Sequence, residues 1–293
     1  MEIREPERLT PVVGEADVIV VGSGPGGLSA AIAAARAGVS VILIERFGCF
    51  GGNITSVGVE GFAWYRHEKT IEAGGLAFEY EQRAIESNAA VPESQSKSYE
   101  LDSEGFKVVA DNLVLKAGVR PMLHRAFCAP ILDGDEIKGV ITESKAGREA
   151  IIGKIIIDAT GDADVARRSG VKVNKNKKED MISASVMFHM SGVNKEEFMN
   201  EIERDPQKYS DWSDKNWQVQ TSGKEDDMFS PFLRKPFEKA KDSGLIDSDL
   251  QTISGTWGAI HDSGELTYLN LVHLNGIDGT DPESLTKGEI EGR

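Results

Sequence analysis

Asp17-Val-Ile-Val-Val-Gly-Ser-Gly-Pro-Gly-Gly27 and, shortly after it, Val39-Ser-Val-Ile-Leu-Ile-Glu45 carry the most specific local pattern in the chain. The first joins an apolar strand of the buried type, Val18 to Val21, to a turn in which Gly22, Gly24 and Gly27 stand in the spacing G-x-G-x-x-G. An alanine-rich helix, Leu28 to Ala37, is predicted to follow, with Gly38 as its stop. The second strand, Val39 to Ile44, then delivers the carboxylate of Glu45. Strand, glycine turn, helix, strand and acid in that order form a dinucleotide-binding unit. Gly22 permits the tight turn, Gly24 leaves room for a pyrophosphate, and Gly27 lets helix and strand approach. The helix N-terminus offers free N–H groups and a partial positive charge to the phosphates. Ser23, Pro25 and Gly26 complete the loop, and Glu45 is read as the acceptor for the adenosine ribose hydroxyls. A glycine turn that only packs a helix on a sheet would need neither the second strand nor the acid.

The next residues narrow the choice of dinucleotide. Arg46-Phe-Gly-Cys-Phe-Gly-Gly-Asn-Ile-Thr55 places Gly51, Gly52, Asn53 and Thr55 where a simple nicotinamide dehydrogenase would carry an ordinary helix. Such a segment suits backbone laid along an extended cofactor. Together with Ile155-Ile-Ile-Asp-Ala-Thr-Gly-Asp-Ala-Asp164, it resembles the FAD-dependent oxidoreductases of the glutathione-reductase-type flavoprotein superfamily, and within them the fumarate-reductase-like flavoproteins. The end of the chain, Asn270 to Arg293 with Asp278-Gly-Thr-Asp-Pro282 and Glu289-Ile-Glu-Gly-Arg293, carries the same likeness.

That resemblance implies FAD as cofactor, bound along Gly22 to Gly27, Glu45, Arg46 and Gly51 to Thr55. It implies that the backbone at Phe127 holds the adenine. Gly161 and Asp162 come to the cofactor a second time by the same likeness, although a plain strand-to-helix turn with Asp162 as the cap is the other reading of those residues. The fold implied is α/β: a Rossmann-like FAD-binding domain with a β-meander over residues 14–172, then a mixed α+β substrate or cap domain over 173–293. Family members continue past a segment like Glu289 to Arg293 into a stretch that returns to the flavin. This chain is therefore expected to be a fragment, or to receive that piece from a partner subunit or a second copy.

Composition bounds the remaining classes. The 293 residues are 40% hydrophobic and 28% charged, ordinary for a globular chain. A formal charge of −15 argues against nucleic acid and anionic membrane as partners. Cys49 and Cys128 are too few for a disulfide framework or a metal cluster, and no C-x-x-C occurs, so no metal is expected. Cys49 reads as a small packing residue in the cofactor loop. Met1 to Glu15 is polar without the apolar core of a secretory signal, and no apolar run approaches a membrane span, so a cytoplasmic location is expected.

Along the rest of the chain, periodicity predicts a helix over about Thr70 to Ser87. A polar loop, Asn88 to Glu100, leads to a second helix capped by Asp102, with Phe106, Val109, Leu113 and Ala117 on one face and Gly118 at its end. Three strand-type segments follow, Val119 to Ile131, Glu136 to Ser144 and Glu149 to Ile157, joined by turns at Asp133-Gly-Asp and Ala146-Gly-Arg. Beyond a short helix, Ala163 to Ser169, and a charged crossover, Lys172 to Asp180, strands are predicted over Ala184 to Met190, Gln251 to Ala259 and Glu265 to His273. No second G-x-G-x-x-G occurs, which argues against a built-in NAD(P)H domain.

Flavin chemistry asks the protein for a proton donor or acceptor beside the ring. His67, among aromatics and beside Arg66 after the cofactor loop, is the leading candidate. His124 is predicted to be structural in a strand under the adenine end, His189 and His273 to be core or sheet-surface residues, and His261 to sit in a turn. Trp212, Trp217, Phe229 and Phe232 read as cap-domain core. The function expected is an FAD-dependent oxidoreductase moving hydride or electrons between a small organic substrate and an external acceptor or donor. Two alternatives stand: a non-catalytic FAD-binding subunit that needs a partner chain, and an NAD-using enzyme on the same scaffold.

Overall fold

A computed structural model describes residues 3–4, 6–61, 66–67, 71–72, 74–92, 99–204, 238–246, 248, 253–256, 260–272 and 274–293. The chain forms two compact units, residues 1–56 with 106–174, and residues 57–105 with 175–293. Residues 57–105, expected inside the first domain, thus group with the second unit.

The first unit is built on a sheet of six strands in the order β7-β2-β1-β10-β9-β8. Its parallel heart is β1 (Val12–Val21), β2 (Val41–Ile44), β7 (Arg120–Met122) and β10 (Gly147–Asp158). Unbroken apolar runs suit strands covered on both faces. All four residues of β2 are buried, as are Val18 to Val21 of β1. The meander β8 (Ala126–Asp133) and β9 (Glu136–Ser144) adds antiparallel strands on the far side of β10. The two hairpin turns fall where the sequence put them. Helix α1 (Pro25–Arg36) buries Gly27, Leu28, Ala31 and Ile32. It starts at Pro25 rather than Leu28, since proline in the first turn is already set for helix and its missing N–H costs nothing there.

One predicted strand is two. Val119 to Ile131 breaks at residues 123–125 into β7 and β8, and His124 lies in the break with φ 57, not in a strand. The cause is local hydrogen bonding. The carbonyls of Glu45 and Phe47, just past β2, accept the N–H groups of Arg125 (2.9 Å) and His124 (3.2 Å), so the chain leaves the sheet to serve them.

The second unit holds helix α2 (Leu76–Glu86), the strand pair β5 (Ala90–Pro92) and β6 (Tyr99–Leu101), and the short pair β3 (Arg66–His67) and β4 (Ile71–Glu72). The predicted helix from Thr70 begins only at Leu76, because Gly75 precedes it with φ 62. Helix α3 (Ser103–Lys116) runs from this unit into the first, and Asp102 caps it as expected by accepting the N–H of Gly105. A three-stranded sheet orders β11 (Phe188–Met190), β13 (Leu266–Val272) and β12 (Ile253–Thr256). Of the predicted strand Ala184 to Met190, only the last three residues form β11, and Ala184 makes a lone bridge to Leu274. Ile260, Leu266 and Leu269 form an apolar cluster, with Val193, Phe198 and Met199 packed against it from helix α5 (Lys195–Arg204) and the turn before it. Helix α4 (Asp164–Arg168) belongs to the first unit. The last helix, α6 (Pro282–Gly292), is capped by Asp281, whose side chain accepts the N–H of Glu283. Phe62, Trp64, Tyr65, Trp212, Trp217, Phe229, Phe232 and His273 lie outside the described residues.

Candidate dinucleotide site

The glycine turn between β1 and α1 has two kinds of glycine. At Gly22 the backbone is left-handed, φ 97, and a Cβ would stand 2.3 Å from the carbonyl oxygen of Ala159. At Gly27 a Cβ would stand 2.0 Å from the carbonyl oxygen of Gly22. Both are needed by the fold itself. Gly24 and Gly26 differ, since a Cβ at either meets no heavy atom within 4 Å. Space there is kept open by the sequence rather than filled by the protein.

The start of α1 points the same way. Gly24 is its N-cap, no side chain caps it, and its first turn carries no acidic residue. N–H groups in a first helical turn have no partner inside the helix. Beside open glycines and without a protein cap, those donors suit a bound anion such as a pyrophosphate. The loop after β2 lies over this turn: a Cβ on Gly52 would come 2.6 Å from the Cα of Gly24, and the N–H of Gly51 donates to the carbonyl of Ser23 at 2.9 Å. Thr55, at 2.5 Å from the carbonyl of Phe50, ties this loop to the one-turn π-helix Asn53–Val57. Cys49 is half-buried, with its sulfur 3.7 Å from the hydroxyl of Thr55 and 3.8 Å from that of Ser56. Asn53 is exposed, and so is Arg46, whose guanidinium lies 4.7 Å from the ring centre of Phe47.

Glu45 is buried at the end of β2, 5% exposed. Its Oε2 accepts the N–H of Ser23 at 2.9 Å and the Ser23 hydroxyl at 2.6 Å, and its Oε1 accepts the N–H of Phe47 at 2.9 Å. The sequence assigned Glu45 to the ribose and missed its partner Ser23, because nothing in the spacing links a loop serine to a strand-end acid. An ionised carboxylate has about four acceptor positions, so capacity remains for about one ribose hydroxyl. Glu45→Ala is expected to weaken FAD binding by the loss of about one charge-assisted hydrogen bond, on the order of 1.5–3 kcal/mol. It should also lower the melting temperature of the cofactor-free protein, since three donors lose their acceptor. Calorimetric titration beside a thermal melt reads both, and unchanged affinity would remove Glu45 from the cofactor site.

The segment expected to approach the cofactor a second time lies beyond β10. Asp158 organises it: its Oδ1 accepts the N–H and the hydroxyl of Thr160 at 3.1 and 2.7 Å, and its Oδ2 accepts the N–H of Ala166 at 2.9 Å. Thr160 in turn accepts the N–H of Asp164 at 2.9 Å. These two residues hold the start of α4, whose N-cap position is Ala163 in a left-handed conformation, φ 58. The reading of Asp162 as the helix cap is thereby corrected; Asp162 and Gly161 are both exposed, and a Cβ on Gly161 would meet nothing within 4 Å.

Phe127 lies on β8, half-buried against the apolar cluster of the sheet, with the Arg168 guanidinium 5.7 Å from its ring centre. Arg168 also donates to the carbonyl of Cys128. The ring is occupied by the protein on these sides, which suits an adenine contact through backbone. Phe127→Ala is expected to cost stability, about 3–5 kcal/mol for a fully buried ring and less here, while FAD affinity falls far less than in Gly24→Val. Equal loss of FAD in the two variants would mean that the ring itself stacks on the base.

In the second unit, the backbone of His67 falls in β3, and its side chain lies outside the described residues. His189 is a sheet-surface residue, with Nε2 4.0 Å from the buried carboxylate of Glu60 and Nδ1 3.7 Å from Glu265. Glu60 also accepts the N–H of Ser103 at 3.0 Å. His261 sits in a turn as expected, its N–H donating to the carbonyl of Glu265 at 2.8 Å. Among the described residues, no group of three or more His, Cys, Asp or Glu is placed to hold a metal ion, and no helix is long and apolar enough to cross a membrane.

The chain is 30% identical over 171 residues to a thiamine thiazole synthase of Saccharolobus islandicus strain L.S.2.15, covering 54% of this chain and 60% of that protein. It is 30% identical over 192 residues to digeranylgeranylglycerophospholipid reductase 2 of Methanopyrus kandleri, covering 62% of this chain and 46% of the relative. It therefore spans less than two thirds of the length of these curated relatives. Among solved structures, a geranylgeranyl bacteriochlorophyll reductase-like protein of Thermoplasma acidophilum matches 62% of this chain and 48% of its own, with a TM-score of 0.46 and 23% identity. A family model described as FAD dependent oxidoreductase matches residues 17–293, and the chain belongs to that family.

Proposed function

We propose that this chain holds FAD for an oxidoreductase that moves hydride or electrons between a small organic substrate and an external acceptor or donor. The observation that carries the reading is the uncapped start of α1 beside the open glycines Gly24 and Gly26, with Glu45 set at the end of the next strand. The residues fit the cofactor of the family. Gly24 to Gly27 would take the pyrophosphate, Glu45 the adenosine ribose, and the backbone at Phe127 the adenine. Gly51, Gly52, Asn53 and Thr55, with Gly161 and Asp162, would line the remaining length. When bound, FAD supplies the redox chemistry through its isoalloxazine ring. The protein's own part is to orient it, exclude water and handle the proton, and His67 is our candidate for that last task.

Residues 175–293, which group with 57–105, would form the substrate side. The substrate is open, because relatives named for thiazole synthesis and for reduction of a digeranylgeranyl phospholipid share the chain at the same 30% identity. The test is the absorption spectrum of the purified protein after incubation with FAD and desalting. Retained flavin bands that bleach under a candidate reductant support the reading. Colourless protein that binds NAD instead would overturn it in favour of the nicotinamide alternative.

A further inference from the structure

We infer that Ser23 is the positioning residue for Glu45, fixing the carboxylate in its ribose-reading place before the cofactor arrives; the inference rests on the reading of this site as the FAD site. Ser23 stands between Gly22 and Gly24 and is fully buried, 0% exposed. Its hydroxyl and its backbone N–H converge on one oxygen, Glu45 Oε2, at 2.6 and 2.9 Å. On its other side, the Ser23 carbonyl accepts the N–H of Gly51. One small residue therefore joins the turn after β1, the end of β2 and the loop that lies over Gly24.

The physical reason is entropic as well as electrostatic. A glutamate side chain has several rotatable bonds, and confining it costs free energy that a ligand must otherwise supply. Two donors on a single oxygen confine it beforehand. They also leave acceptor capacity on a carboxylate that the protein has already desolvated, where a hydrogen bond to a charged acceptor is at its stronger end. The motif leaves the residue between its first two glycines unspecified and so calls for no hydroxyl at position 23. Whatever that hydroxyl contributes to binding passes through Glu45.

This gives a signature that simple packing lacks. Removing the hydroxyl should weaken binding only while Glu45 is present, and it should act on the recognition of ribose rather than of phosphate. The experiment uses the whole chain as wild type, S23A, E45A and S23A/E45A. Each is titrated with FAD, ADP and 2′-deoxy-ADP, and each cofactor-free protein is melted. In S23A, affinity for FAD and ADP is expected to fall on the order of tenfold, as for the loss of one hydrogen bond to a charged group. The preference for ADP over 2′-deoxy-ADP should shrink in the same variant. The double variant should bind no more weakly than E45A, within about twofold, as coupled neighbours do.

Additive losses, or an S23A variant that melts earlier with its ribose preference intact, would show Ser23 to be a buried packing residue and overturn the inference. Wild-type protein that binds ADP but not FAD would overturn the flavin reading and leave the Ser23 cycle to be decided on ADP. Wild-type protein that binds neither overturns both.

Discussion

Gly24→Val is expected to abolish FAD retention while leaving the fold almost untouched. The backbone at Gly24 has φ −59 and ψ 175, a conformation open to any L-residue, so valine adds no strain there. A Cβ at this position meets no protein atom within 4 Å, so it adds no clash either. What the valine fills is the volume in front of the uncapped first turn of α1, which the pyrophosphate requires. Affinity should drop on the order of a thousandfold or more, about 4 kcal/mol, because the side chain both blocks the path and covers the N–H donors. The melting temperature of the cofactor-free protein should stay close to wild type, as for substitutions that touch nothing. The measurement is flavin content after desalting, beside a thermal melt. Full flavin in Gly24→Val would place the pyrophosphate elsewhere.

How much of this was legible in the sequence depends on whether a residue's partner is near it in the chain. Gly22 and Gly27 could be read because a turn between strand and helix imposes its geometry on residues a few positions apart, and Gly24 because the motif reserves that position for the pyrophosphate. The meander turns at Gly134 and Gly147 were legible for the same reason, and so was the cap at Asp102. Partners distant in sequence were not. Ser23 meets Glu45 across 22 positions, and no pattern announces that a loop hydroxyl will find a strand-end acid. Asp158 reaches eight residues on to Ala166, whereas the local pattern offers Asp162, nearer the helix, as the cap in one of its two readings. The break at His124 arises because carbonyls beyond β2 need donors, and strand periodicity carries no trace of that demand. The grouping of residues 57–105 with the second unit is a matter of which surfaces they pack on, and their local pattern is the same in either place.

Gly27→Ala should fail in the opposite way. Here even one methyl group would stand 2.0 Å from the carbonyl oxygen of Gly22, 2.9 Å from its carbon and 3.0 Å from the Cβ of Ala159. The first two are backbone atoms that cannot rotate away, so helix α1 would have to move outward from the sheet. That movement would disturb Leu28, Ala31 and Ile32, all 0% exposed against the strands. Overpacking of a tight core typically costs 1–3 kcal/mol, and a backbone obstacle belongs at or above the top of that range, about 3–4 kcal/mol. For a chain of this size, each kcal/mol lowers the melting temperature by roughly 2–4 °C, so a fall of about 10 °C is expected. Binding should weaken only as far as the displaced helix carries its N–H groups away from the phosphates. The pair of variants separates two uses of one motif. If the glycines served only to pack a helix on a sheet, both substitutions would act on stability. If they served only the ligand, both would act on FAD. Loss of flavin without loss of stability at Gly24, with the reverse at Gly27, is the pattern that this geometry requires, and a Gly27→Ala protein that melts with wild type would show that the close approach of α1 to β1 is softer than the 2.0 Å contact implies.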